Sequence, residues 1–226
     1  MKKSLQEIYQ ETLASHPKLQ QTLASVMSKL GMTAEDVFIG FLRYDNDIGT
    51  YDNRIYDDMR VRAALYLKYF VIGSYHVDRQ RLLTEFIRDC GKIKTIVDIG
   101  YGAPGCYISE YILNVPDIEL TLCDAFESAE TFSRALFESL FPRTNWETHI
   151  RFQRFDLNQK VSPGSFDAYI LFDSIEHAND PTTVMDEIVK QAPKKAHFIL
   201  SLPICSMSEL THMHFIEWLT ENDAVD

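Results

Sequence analysis

The chain has 226 residues, 46% of them hydrophobic, and a formal net charge of −11. That length and apolar content suit one α/β domain with an appendage, able to bury a sizeable core. No run of about 18 apolar residues is present to span a bilayer, and no apolar signal core follows Met1-Lys2-Lys3. The acidic balance argues against nucleic acid as a partner, because the only basic groupings, Arg60/Arg62/Lys68 and Arg151/Arg154, are sparse. Cys90, Cys106, Cys123 and Cys205 fall in core-like segments without close pairing, which fits free thiols and a cytoplasmic location.

Residues 1–90 read as helical. Leu5, Ile8, Tyr9 and Leu13 form one apolar stripe; Leu19, Leu23, Val26, Met27 and Leu30 form a second, ended by Gly31. Thr33 with Asp36 makes a capping-box-like start to a third helix. The turn-rich stretch Tyr44–Asn53 reads as loop. A further helix is expected over roughly Tyr56 to Ile72, apolar on most sides and so buried between layers, with Gly73 placed to cap it. A last helix runs from about Asp78 to Cys90 and stops at Gly91.

From Lys92 on, strands alternate with helices, the pattern of a parallel sheet. The strands are expected over Thr95–Ile99, Glu119–Cys123, Ile150–Phe155, Ala168–Phe172 and His197–Leu202. The helices between them start near Gly105, Glu127 and Pro181. The division is therefore a helical region, residues 1–90, and a sheet domain, residues 91–226.

The chemistry concentrates around Val97-Asp-Ile-Gly-Tyr-Gly-Ala-Pro-Gly105. An apolar β-branched run breaks into Gly100, Gly102 and Gly105, and a helical pattern follows with Tyr107, Ile108, Tyr111 and Ile112 on one face. Such a loop lets backbone approach a ligand and points helix N–H groups at it. The G-x-G-x-x-G spacing is weakly specific by itself. Asp98 sharpens it: a carboxylate just before the glycines repels phosphate but suits a cation carrying an ammonium and a sulfonium. A second acid, Asp124, ends the next strand about 20 residues past the last glycine, where a carboxylate binds ribose hydroxyls.

These residues resemble motif I of the class I S-adenosylmethionine (SAM)-dependent methyltransferases, over roughly residues 92–218. The resemblance implies an α/β Rossmann-like parallel sheet with SAM as cofactor. Asp98, Gly100 and Gly102 would hold its amino-acid end, Tyr101 would belong to the cofactor-binding set between them, and Asp124 would take the ribose hydroxyls. Ala125 and Phe126 would line the adenine, Asp156 would accept from its amino group, and Phe155 beside it would belong to the cofactor-binding set. Phe172-Asp-Ser-Ile-Glu-His-Ala-Asn-Asp-Pro181 is similar to the Glu-His followed by Asp-Pro of a large subgroup acting on small molecules and biosynthetic intermediates. That places Asp173, Glu176 and His177 near the transferring methyl. His177 and His214 are candidate bases toward a small-molecule acceptor, since imidazole has a suitable pKa.

Asp173, Glu176, His177 and a histidine of His212-Met-His214 also look like the metal set of small-RNA 2′-O-methyltransferases, with Asp173 where that family carries Glu. The acidic charge speaks against RNA and metal. Two other readings compete: a methyltransferase-like binding or scaffold protein without catalysis, and a nicotinamide-dependent oxidoreductase, which Asp98 and the Glu-His pair oppose. The tyrosines Tyr51, Tyr56, Tyr66, Tyr69 and Tyr75 read as core or as an acceptor lid, and Arg79 as a candidate for the SAM carboxylate. The family's C-terminal strand hairpin is missing from the chain, so the edge of the fifth strand calls for a homodimer or further C-terminal residues to complete the sheet.

Overall fold

The computed structural model describes residues 3–47, 53–72, 74–110, 112–115, 117–159 and 163–201. The elements run α1 (Leu5–Ser15), α2 (Pro17–Leu30), α3 (Ala34–Asp47), a 3₁₀ turn (Asn53–Asp57), α4 (Met59–Lys68), α5 (Tyr75–Cys90), β1 (Thr95–Ile99) and α6 (Tyr107–Glu110). They continue with β2 (Glu119–Asp124), α7 (Glu127–Leu140), β3 (Ile150–Arg154), β4 (Ala168–Phe172), α8 (Pro181–Gln191) and β5 (His197–Ser201). The sheet order is β3-β2-β1-β4-β5. β1 pairs parallel with both β2 and β4, and β4 pairs parallel with β5. This is an α/β, Rossmann-like parallel sheet. The order reverses between β1 and β4, the switch point at which open α/β sheets bind ligands beyond their carboxyl ends.

The chain forms two compact units, neither contiguous in sequence. The first comprises Met1–Lys92, Gly102–Ile118 and Phe126–Ile150; the second comprises Ile93–Tyr101, Glu119–Ala125 and the residues from Arg151 on. The core of the first joins Tyr9, Leu19, Leu23, Val26 and Phe41 to Ala64, Leu67, Phe132 and Leu136. The core of the second places Met185 and Ile188 of α8 against Val97, Ile99, Tyr169 and Leu171 of the sheet. Among the described residues no helix is long and apolar enough to cross a membrane.

Local chemistry sets most boundaries. Ser4 and Glu7 form a capping box on α1, and Thr33 and Asp36 do the same for α3 through reciprocal bonds of 2.8 and 3.2 Å. Gly31 ends α2 at φ 65° and Gly91 ends α5 at φ 49°, the left-handed conformation of a C-cap. Strands β1 and β4 match their expected bounds residue for residue.

Three expectations are corrected. Tyr44–Asp47 continue α3 rather than forming loop. Tyr44 is buried, meets Tyr56 edge-on at 6.5 Å and lies 5.2 Å below the Lys68 ammonium, and this packing overrides the turn propensity of its neighbours. The helix expected from Tyr56 begins at Met59 instead, because Asp58 caps it by accepting from the Arg60 N–H at 2.9 Å, and it stops at Lys68. The helix expected after the glycine loop is only four residues long and gives way to a 3₁₀ turn at Ile112–Asn114. Val115-Pro116 follows in sequence, and a proline disfavours helix at the residue before it. So short a helix supplies little dipole at the glycine loop. Gly73, Tyr51, Tyr111 and the residues after Ser201 lie outside the described residues, while β5 is an edge strand among the described ones.

Candidate functional site

The carboxyl ends of β1, β2 and β4 carry the candidate site. Asp98, one residue before the end of β1, is 6% exposed; Asp124, the last residue of β2, is 8% exposed. In the β1–β2 register Ile99 faces Cys123, so the two acids lie on neighbouring strands beside that thiol. Burial, with the Asp98 and Asp124 charges adding to it, pushes the Cys123 thiol up to about 12. Ionised carboxylates in such a setting suit cationic or multiply donating groups.

The glycine loop turns sharply at this point. The Gly100 N–H donates to the Cys123 carbonyl at 2.8 Å, and Gly100 sits at φ 68°. Its missing side chain makes room for protein: a Cβ there would lie 2.6 Å from Ser174 Cβ. Gly102, at φ 63°, is likewise faced by Leu65 Cδ1 at 3.1 Å, and Gly105 by Gln80 and the Tyr107 ring. The loop glycines thus serve close packing on their Cβ sides, and any ligand must use other faces of the loop. Tyr101 is buried.

Beyond β3, the buried Phe155 donates its N–H to the Asp124 carbonyl at 3.0 Å. Ala125 and Asp156 are half-buried. Asp156 Oδ1 accepts from the N–H and side-chain amide of Asn158 at 2.9 and 3.2 Å, an Asx turn that uses one carboxylate oxygen. Asn158 Oδ1 in turn accepts from the Asn179 N–H at 2.8 Å, tying this turn to the segment after β4.

That segment is shaped by Asp173. It is the sole non-glycine with positive φ, 47°, among the described residues. Its N–H donates to the Ser201 carbonyl at 2.9 Å, and its Oδ1 accepts from the Ser201 hydroxyl at 2.9 Å. β5 therefore holds the bend, with one oxygen of Asp173 committed to Ser201. Ser174, Glu176 and the half-buried His177 follow in a 3₁₀ turn, with Glu176 6% exposed and Ser174 Oγ buried without a hydrogen bond. Asp180-Pro181 starts α8: the Asp180 carboxylate accepts from the Thr183 N–H at 3.0 Å and proline occupies the first turn. His214, like His212, lies outside the described residues. Among the described ones no group of three His, Cys, Asp or Glu is arranged for a metal ion.

The first unit holds the remaining expected residues, Gly102 and Phe126, and one that sequence reasoning missed. Arg62 is 1% exposed in the middle of α4. Its Nη1 donates to the Gly102 carbonyl at 2.8 Å and its Nε to Ser128 Oγ at 3.3 Å. The rings of Tyr56 and Phe126 lie 5.8 and 5.9 Å from the guanidinium carbon. Arg62 therefore forms no part of a basic surface. The available signal was a lone cation flanked by Val61, Ala63 and Ala64 in a helix expected to be buried. Arg60 pairs with Asp58 at 2.7 Å, and Lys68 lies over Phe41 at 4.7 Å. Of the tyrosines, Tyr66 is core, its phenol pushed up by burial with Cys106 adding, and Tyr69 donates to the Ala103 carbonyl at 3.0 Å. Arg79 donates to His76 Nδ1 at 3.1 Å.

No protein-family model matches the chain, and no curated protein matches it in sequence. Among solved structures it is similar to the N-methyltransferase NodS from Bradyrhizobium japonicum WM9, in complex with S-adenosyl-L-homocysteine. The identity is 17% and the TM-score 0.44, covering 70% of this chain and 71% of that one. It is also similar to an O-methyltransferase family protein from Burkholderia thailandensis, at 12% identity and a TM-score of 0.49, covering 80% of this chain and 57% of that one. With both scores below 0.5, neither likeness bears on the chemistry of this chain.

Proposed function

We propose that the chain is a SAM-dependent methyltransferase acting on a small-molecule or biosynthetic-intermediate acceptor. One observation carries this reading: two buried carboxylates, Asp98 and Asp124, at the carboxyl ends of paired parallel strands beside a left-handed glycine turn. The donor set fits the proposed cofactor. A buried acid accepts from an ammonium, and an ionised carboxylate is the natural acceptor for the two hydroxyls of a ribose. Asp98, just before the glycine turn, would repel a dinucleotide's pyrophosphate, which disfavours the nicotinamide reading.

On this reading Asp98 with the Gly100–Gly102 backbone holds the amino-acid end and Asp124 the ribose. Ala125, Phe126 and Phe155 line the base, and Asp156 accepts from its amino group through the oxygen not used by Asn158. The bound cofactor supplies an electrophilic methyl on a sulfonium, which is displaced directly. The protein's task is then alignment, with a proton acceptor only where the acceptor is a hydroxyl or carbon acid. His177 is the proposed base, and the buried Glu176 precedes it in the same turn. Asp173 contributes mainly by shaping the bend that carries them.

Calorimetric titration with S-adenosylhomocysteine, SAM and NAD tests the proposal. Binding of the first two and not the third is expected. Binding of NAD alone would replace it with an oxidoreductase. SAM binding without methyl transfer to any member of a broad acceptor panel would favour a binding or scaffold protein.

A further inference from the structure

Arg62 lies in the middle of α4 and is 1% exposed. A guanidinium buried in an otherwise apolar helix is costly to desolvate and is retained only where its donors are well used. Here the planar fork reaches two backbone segments that are far apart in sequence. Nη1 donates to the Gly102 carbonyl at 2.8 Å and Nε to Ser128 Oγ at 3.3 Å, and the Ser128 hydroxyl in turn donates a hydrogen bond to the Tyr56 carbonyl at 3.0 Å. Phe126 and Tyr56 flank the cation with their rings. Leu65, from the next turn of the same helix, presses on Gly102 from the side where it lacks a Cβ. A single element of the N-terminal helices therefore fixes both the second loop glycine and the start of α7.

We propose that Arg62 is a positioning residue: it sets the backbone of the glycine loop and of the 126–128 turn in the geometry that receives the methyl donor. The ligand in this statement rests on the methyltransferase reading, whereas the control of the loop does not. Lysine cannot substitute, because its point charge lacks the fork that spans two acceptors.

The test compares wild type, Arg62→Lys and Ser128→Ala in the full chain. Amide hydrogen exchange without ligand is followed over residues 102–105 and 126–130, with 168–172 in β4 as the internal control. The dissociation constant for S-adenosylhomocysteine is measured alongside. Arg62→Lys should speed exchange at 102–105 by about tenfold or more while β4 is unchanged, and weaken S-adenosylhomocysteine by about tenfold. Ser128→Ala, which keeps the guanidinium, should act mainly on 126–130. Unchanged exchange at 102–105 in a folded Arg62→Lys protein overturns the proposal. So does exchange that rises equally in β4, which marks general destabilisation. If Arg62→Lys does not fold, Ser128→Ala decides, and a wild-type exchange pattern at 126–130 counts against the proposal. If wild type fails to bind S-adenosylhomocysteine while loop exchange still responds to Arg62, the methyl-donor reading falls and the positioning role stands.

Discussion

Gly100 and Ser174 meet at the carboxyl ends of two paired strands, so closely that a Cβ on Gly100 would lie 2.6 Å from Ser174 Cβ. The turn after β1 and the bend after β4 are thus fitted to each other. Gly100→Ala should suffer twice: about 1–2 kcal/mol for a left-handed alanine, and about 1–3 kcal/mol for the overpacked contact. Urea unfolding should show a loss of about 2–5 kcal/mol. A loss below about 0.5 kcal/mol would mean that the two segments can part freely.

Asp124→Ala removes the acceptor proposed for two ribose hydroxyls. Charge-assisted bonds of this kind predict a loss of about 2–4 kcal/mol in affinity for S-adenosylhomocysteine, or roughly 30- to 1,000-fold in dissociation constant. Calorimetry checks it, and an unchanged constant removes Asp124 from the site.

His177→Ala should lower kcat for an acceptor hydroxyl or carbon acid by about 100-fold or more while leaving S-adenosylhomocysteine affinity within twofold. Single-turnover methyl transfer from labelled SAM measures the first, calorimetry the second. A kcat within twofold of wild type would assign the proton to another group.

Asp167 governs a pH effect remote from the site. Burial would raise its pKa, but bonds from the Lys94 and Thr95 N–H groups and the Thr95 hydroxyl outweigh it and hold the carboxyl below its ordinary value of 3.8. Those bonds, at 2.9, 2.9 and 3.1 Å, staple the entrance of β1 to that of β4. A depressed carboxyl stabilises the fold fully above its unfolded value and loses that contribution as pH falls through the folded one. Wild type should therefore lose part of its stability below about pH 4, and Asp167→Asn should be less stable at pH 7 yet lose less on acidification. Parallel pH–stability curves for the two proteins would contradict this.

The sheet was legible because its strands are short β-branched or aromatic runs bounded by charges and glycines; Thr95–Ile99 and Ala168–Phe172 have no other way to satisfy their apolar side chains. The acids at the strand ends were legible for the same reason, since their positions follow once the strands are placed. What escaped depends on partners distant in sequence. Tyr44 is helical because of Tyr56 and Lys68, and Arg62 looked like a surface cation because nothing near it announces Gly102 or Ser128. Gly100 and Gly102 could be recognised as a turn, but that their bare faces receive Ser174 and Leu65 required knowing which strand and which helix lie alongside.

The first unit's division among three stretches of sequence has a consequence for synthesis. Ser25 bonds to Ser139 and Lys29 to Glu138, so the apolar stripe of α2 finds Phe132 and Leu136 only after more than a hundred further residues have been made. At about 5–20 residues per second, that is roughly 6–23 s on the ribosome. Through that interval Leu19, Leu23 and Val26 have only the other early helices to shelter them. The apolar stripe of α2 is therefore completed late in synthesis, well after the helices that flank it in sequence.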